Sequence, residues 1–80
     1  MNRLDVLRKL ETIFREIFDA ESLVVTEEST PEDIENWDSM GQVYLIAEIE
    51  DEFKIELGEE MTEIESVKDI IDIILNKLNN

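Results

Sequence analysis

The stretch Asn36-Trp37-Asp38-Ser39-Met40-Gly41-Gln42-Val43 changes character at its centre, and that change decides how the chain folds. From Ala20 to Trp37 there is no helical periodicity, whereas Val43, Ile46, Ala47, Ile49 and Phe53 then recur at helical spacing. Asp38 and Ser39 are both residue types whose short side-chain oxygens accept a backbone N–H of a first helical turn. A helix is therefore predicted from about Ser39 to Phe53. One hydroxyl stands at its start, where free N–H groups and the positive end of the helix dipole favour an anion.

Outward from this junction the chain reads as helix, long loop, helix, short helix, helix. Asn2 with Asp5 supplies a cap and an acidic first turn, and Leu7, Leu10, Phe14, Ile17 and Phe18 follow at helical spacing. The loop from Ala20 to Trp37 carries Leu23, Val24, Val25 and Ile34, too apolar for a free linker, and Thr30-Pro31 can cap one short turn within it. A connection of this length is uncommon in a compact domain, so it is expected to fold over the core and deliver Trp37, as a packing anchor, to the neighbourhood of Ser39. Past Phe53, Lys54-Ile55-Glu56-Leu57 reads as a short extended piece ended by Gly58. Glu59 to Glu65, with Met61 and Ile64 three apart, reads as a brief helix held by tertiary contact. Ser66 with Asp69 approximates a capping box, and Val67, Ile70, Ile71, Ile74, Leu75 and Leu78 make the stripe of a last helix. The expectation is one all-α domain over residues 1–80: a four-helix bundle with a long first loop and a short third helix.

Composition bounds what such a domain does. Eighty residues with 42% hydrophobic content make one small core, and a domain of this size buries only about 60% of its unfolded-state surface. The net charge of −15 works against compaction by self-repulsion. Of 22 carboxylates and seven bases, four of each fall in residues 1–20, which leaves eighteen carboxylates against Lys54, Lys68 and Lys77. That acidic field disfavours nucleic acid and steers basic protein surfaces toward the serine end of the molecule. The chain has neither Cys nor an apolar N-terminal run, so it is expected to be cytoplasmic and not inserted in a membrane, and a monomer is expected for the small bundle as a whole.

The residue inventory argues against unaided catalysis. With no His, a Ser-His-Asp arrangement is impossible and Ser39 has no evident general base. Calcium ligation fails from Asp51 onward, where Phe53 and Ile55 stand at positions that need oxygens. No metal site is expected, and Ser39 makes chemical sense as an attachment point rather than a nucleophile of its own reaction.

The octapeptide, followed by Glu48-Ile49-Glu50-Asp51-Glu52-Phe53-Lys54-Ile55, resembles the acyl carrier protein family, whose Asp-Ser-Leu motif bears phosphopantetheine on the serine. Met40 stands here for the usual Leu, and the likeness extends over nearly the whole chain, including Ile64-Glu65-Ser66-Val67. The resemblance implies 4'-phosphopantetheine on Ser39, flanked by Asp38 and Met40, with an acyl group held as a thioester and catalysis left to partner enzymes. Those partners are a phosphopantetheinyl transferase and acyl- or aminoacyl-loading and transfer enzymes with basic surfaces, in fatty acid or polyketide biosynthesis. Family members shelter acyl chains in their interior, and the matching lining is Val43, Leu45, Ile46, Ile49, Ile64 and Ile70. Partner contact is expected along the second helix, at Gly41, Tyr44, Glu48, Asp51 and Glu52.

Gly41 and Tyr44 depart from the fatty-acid carriers, which commonly have acidic residues at both places. The Asp-Ser-Met-Gly run looks like that of D-alanyl carriers, so an aminoacyl carrier of the same fold is the alternative within the family. A small residue at 41 admits a closer approach of the arm or of a partner backbone, at a cost of about 1 kcal/mol in helix propensity. From a different class, an acidic helical interaction module would use the charges without needing the Ser39 hydroxyl.

Overall fold

In the computed structural model, which describes residues 1–79, three α-helices are joined by one long and one short irregular connection: α1 (Arg3–Ile17), α2 (Ser39–Phe53) and α3 (Val67–Leu78). There is no strand among the described residues. The expected four-helix bundle thus becomes three α-helices and one 3-10 turn, Glu59–Thr62. Four residues are too few for an α-helical ladder. Met61 N–H donates to the Gly58 carbonyl and Glu63 N–H to that of Glu60, and the turn holds its place because Met61 is buried.

Local chemistry explains where each helix begins and ends. Asn2 Oδ1 accepts the Asp5 N–H at 2.9 Å and starts α1. At its other end the chain turns away through Asp19, whose φ of 50° is left-handed, while Ala20 N–H reaches back to the Arg15 carbonyl. Helix α2 stops at Lys54, φ 57°, rather than running on toward Gly58. The Glu50 carboxylate then fixes the exit by accepting the Leu57 N–H at 2.8 Å.

The long loop is packed down, as its apolar residues predicted. Val25, Ile34 and Trp37 are buried with the helices, and Thr30 and Asp33 close one turn through backbone and side-chain bonds. The loop also caps α3: its Ser29 and Glu27 carbonyls accept the Val67 and Lys68 N–H groups, both at 2.9 Å. Asp69 Oδ2 accepts the Glu65 and Ser66 N–H groups. These bonds satisfy donors that a helix start otherwise leaves to water.

The core forms where the three helix stripes meet. Val6, Leu10 and Phe14 of α1, Leu45 and Ile49 of α2, and Val67, Ile70, Ile71 and Ile74 of α3 are fully buried. In α1 the buried face is Val6, Leu10, Ile13 and Phe14, with Leu7 and Ile17 at its edge, a small rotation from the face first read in the sequence. In α2 it is Gly41, Leu45, Ile49 and Phe53, four residues apart at each step.

Ion pairs tie the elements together at the surface. Arg3 reaches Glu27 in the loop and Asp72 on α3, each at 2.6 Å, which holds the Glu27 carboxyl below its usual range. Lys77 meets Glu60 at 3.0 Å, and that bond, helped by the Glu60 and Gly58 N–H groups, lowers the Glu60 carboxyl from 4.5 to about 2. A depressed carboxylate stabilises the fold above its unfolded-state value and loses that effect as the pH falls through its folded-state value. The melting temperatures of the wild type and Glu60→Gln should therefore differ most above the ordinary carboxylate value of 4.5 and converge as the pH falls toward about 2. A gap that stayed constant over that range, in scanning calorimetry, would mean that the Glu60 charge contributes nothing.

Candidate functional site

Asp38 is the N-cap of α2. Its Oδ1 accepts the Gly41 N–H at 2.9 Å and its carbonyl the Gln42 N–H at 2.8 Å. The first of these satisfies one of the helix's unpaired donors and the second is its first regular intrahelical bond, while the N–H groups of Ser39 and Met40 have no partner among the described residues. Ser39 is the first residue of the helix, exposed to solvent, and its hydroxyl makes no hydrogen bond among the described residues. An oxyanion joined to Ser39 Oγ would meet those two N–H groups and the positive helix end. Among the described residues no carboxylate or other base is bonded to that hydroxyl.

What holds the serine in this position lies behind it. Trp37 is buried, with its ring edge-on to Phe14 at 5.0 Å, and Phe14 is edge-on to Phe18 at 5.5 Å. Asn36, in the left-handed region at φ 73°, turns the chain into Trp37. Gly41 then lets α2 lie against this turn. A Cβ on Gly41 would sit 2.5 Å from the Asn36 carbonyl oxygen and 2.7 Å from Phe18 Cε1. Position 41 therefore serves packing, and its assignment to partner contact is corrected: the residue is buried.

Two clefts flank the serine. One, of about 250 Å³, is lined by Pro31, Trp37, Ser39, Gln42, Thr62 and Ile64, with Asp38 and Met61. The other, of about 310 Å³, lies between the end of α1 and α2, with Phe18, Asp19, Met40 and Tyr44 on its walls. Asp38, Ser39 and Met40 are thus together at one exposed corner, as the sequence predicted.

The remaining predicted residues divide. Tyr44 is 56% exposed, and Glu48, Asp51 and Glu52 also face solvent on α2, with Glu52 paired to Lys9 at 3.1 Å. Of the expected acyl lining, Leu45, Ile49 and Ile70 are fully buried in the core, while Ile46 and Ile64 are half-buried. Val43 is corrected: it is 60% exposed, because the stripe of α2 that faces the core passes through Gly41 and Leu45. With Met40 and Tyr44 it makes an apolar outer face beginning at the serine. Sequence reading missed Gln42 and Thr62. For Gln42 the signal was its place three residues after Ser39, on the same helix face. Nothing in the sequence placed Thr62.

No protein-family model matches the chain. An acyl carrier protein from Thermosynechococcus vestitus is 36% identical over 80 residues, spanning 98% of both chains. The solution structure of a holo acyl carrier protein from Geobacter metallireducens superposes with a TM-score of 0.84 at 36% identity, over 91% of this chain and 85% of that one.

The packing at Gly41 makes a direct prediction. Ala is the better helix former by about 1 kcal/mol, yet its methyl needs the Asn36 backbone and the Phe18 ring to move. Gly41→Ala should therefore destabilise the domain by roughly 2 kcal/mol, a fall of about 8–16 °C in melting temperature. A variant that melts at or above the wild-type temperature would show that the helix–turn contact is loose.

Proposed function

On the footing that this chain belongs to the acyl carrier protein family, we propose that it carries acyl groups as thioesters on a 4'-phosphopantetheine arm attached to Ser39. The observation that carries this reading is the Ser39 hydroxyl itself: exposed, without a hydrogen bond among the described residues, and set on the first turn of α2 beside two free N–H groups. The residues present fit the group. Ser39 Oγ would form the phosphodiester, the Ser39 and Met40 N–H groups would face its charge, and Asp38 keeps the helix start in shape. When bound, the group supplies a thiol at the end of a flexible arm.

The rest of the chemistry belongs to the partners. Attachment requires a transferase to supply the base that removes the Ser39 proton, since the chain has no His and Asp38 is committed to the Gly41 N–H. The face offered to that enzyme, and to those that load and unload the arm, is the outer side of α2. Met40, Val43 and Tyr44 give it apolar area, and Glu48 and Asp51 give it charge. A basic partner surface would be steered there and then anchored by the apolar residues. A cytoplasmic, monomeric, non-catalytic carrier is the reading that goes with this surface, and no helix among the described residues is long and apolar enough to cross a membrane.

Incubation with coenzyme A and a broad-specificity phosphopantetheinyl transferase should add one phosphopantetheine to the wild-type chain and none to Ser39→Ala, read by intact mass. The variant should keep its helical circular dichroism, because Asp38 rather than Ser39 caps α2. Equal mass gain in both proteins, by use of Ser22, Ser29 or Ser66, would reject the assignment. No gain in either would favour the acidic interaction module.

A further inference from the structure

Beside Ser39 the structure holds a polar tie that carriage of an acyl group does not by itself require. Trp37 Nε1–H donates to Gln42 Oε1 at 2.7 Å, and Gln42 Nε2–H donates to the Met61 carbonyl at 3.0 Å. One amide thereby joins three segments far apart in sequence: the end of the long loop, the first turn of α2 and the 3-10 turn. Gln42 stands one helical turn after Ser39 and lines the same 250 Å³ cleft, whose far wall is Met61, Thr62 and Ile64. Met61, which the tie holds by its carbonyl, is buried in the same core as Leu45 and Ile49 of α2.

Both ends of the Gln42 amide are engaged, so anything that pushes it aside strands a carbonyl and an indole N–H. For an alkyl group the exchange is unfavourable, because it offers nothing to either atom. A group with its own donor or acceptor can replace what it displaces. The 3-10 turn has few other attachments: the Lys77–Glu60 pair, the buried Met61 side chain and short-range bonds within the turn.

We propose that Gln42 is a latch that closes the seam between α2 and the 3-10 turn, and that it thereby disfavours entry of a plain hydrocarbon cargo from Ser39 while admitting cargo that carries hydrogen-bonding groups. The selectivity rests on the carrier reading. The latch itself does not. Gln42 acts through the Met61 carbonyl and is a positioning residue.

Two variants separate the latch from general loss of stability. Gln42→Leu removes both bonds, whereas Gln42→Glu keeps an acceptor for the Trp37 N–H and loses the donor to Met61. In unmodified protein, hydrogen exchange at the Met61 and Glu63 amides should quicken by about five- to tenfold in both variants, with Leu10, Phe14 and Ile74 unchanged. Unaltered exchange at the turn, or equal acceleration at the core amides, overturns the latch. For selectivity, wild type and Gln42→Leu are each loaded from octanoyl- and acetyl-coenzyme A, and cleavage of the thioester by hydroxylamine is followed by mass. The wild type should lose octanoyl as fast as acetyl, and Gln42→Leu should protect octanoyl by at least about threefold. Equal octanoyl rates in the two proteins overturn the selectivity. Failure of either protein to take up any arm would reject the carrier reading and leave the exchange result standing.

Discussion

The approach of α2 to the turn that leads into it governs the functional end of this molecule. With Gly41 against the Asn36 carbonyl and the Phe18 ring, the first turn of α2 lies closer to the preceding turn than any side chain at 41 would allow. The consequences follow in order. Asp38 is placed to cap the helix, Ser39 and Met40 are left facing outward, and Gln42 is brought under the Trp37 indole. A larger residue at 41 disturbs all of these at once. The helix-weakening glycine is thus accounted for by close contact, and the hydroxyl is presented by a helix start rather than by a loop.

The same economy is visible in the charges. The domain has few bases, and several are spent between elements: Arg3 on the loop and α3, Lys77 on the 3-10 turn, Lys9 on α2. Arg15 donates to the Leu23 carbonyl and so fastens the start of the loop to α1. Most of the carboxylates left over are exposed along the long loop, α2 and the segments after it, where they supply a field rather than a contact. Surface pairs of this kind contribute little singly, and their placement at the junctions of a small core is what gives them weight.

Much of this was legible in the sequence because the signals were local. Cap residues marked the helix starts, apolar spacing gave the three long helices, and Trp37 beside a loop–helix junction read correctly as an anchor. The failures lie where geometry depends on distant neighbours. Met61 and Ile64 three apart suggested a helix, but whether a short apolar pair makes an α-turn or a 3-10 turn depends on what packs over it. Val43 fitted a helical stripe equally well on either side, and only the tight seat of Gly41 decides that Leu45 turns inward. Gln42 drew no reading of its own because its two partners, Trp37 and Met61, meet only in the folded chain.

The central claim is that this support exists to hold a modified serine at the start of α2. It is tested most directly by amide NMR of the chain before and after transfer of phosphopantetheine from coenzyme A. The account predicts shift changes centred on Ser39 and Met40, spreading to the residues that line the adjoining cleft, among them Trp37, Gln42, Thr62 and Ile64, with α1 and the body of α3 unmoved. Changes centred on Ser22, Ser29 or Ser66 instead, with the start of α2 undisturbed, would contradict it.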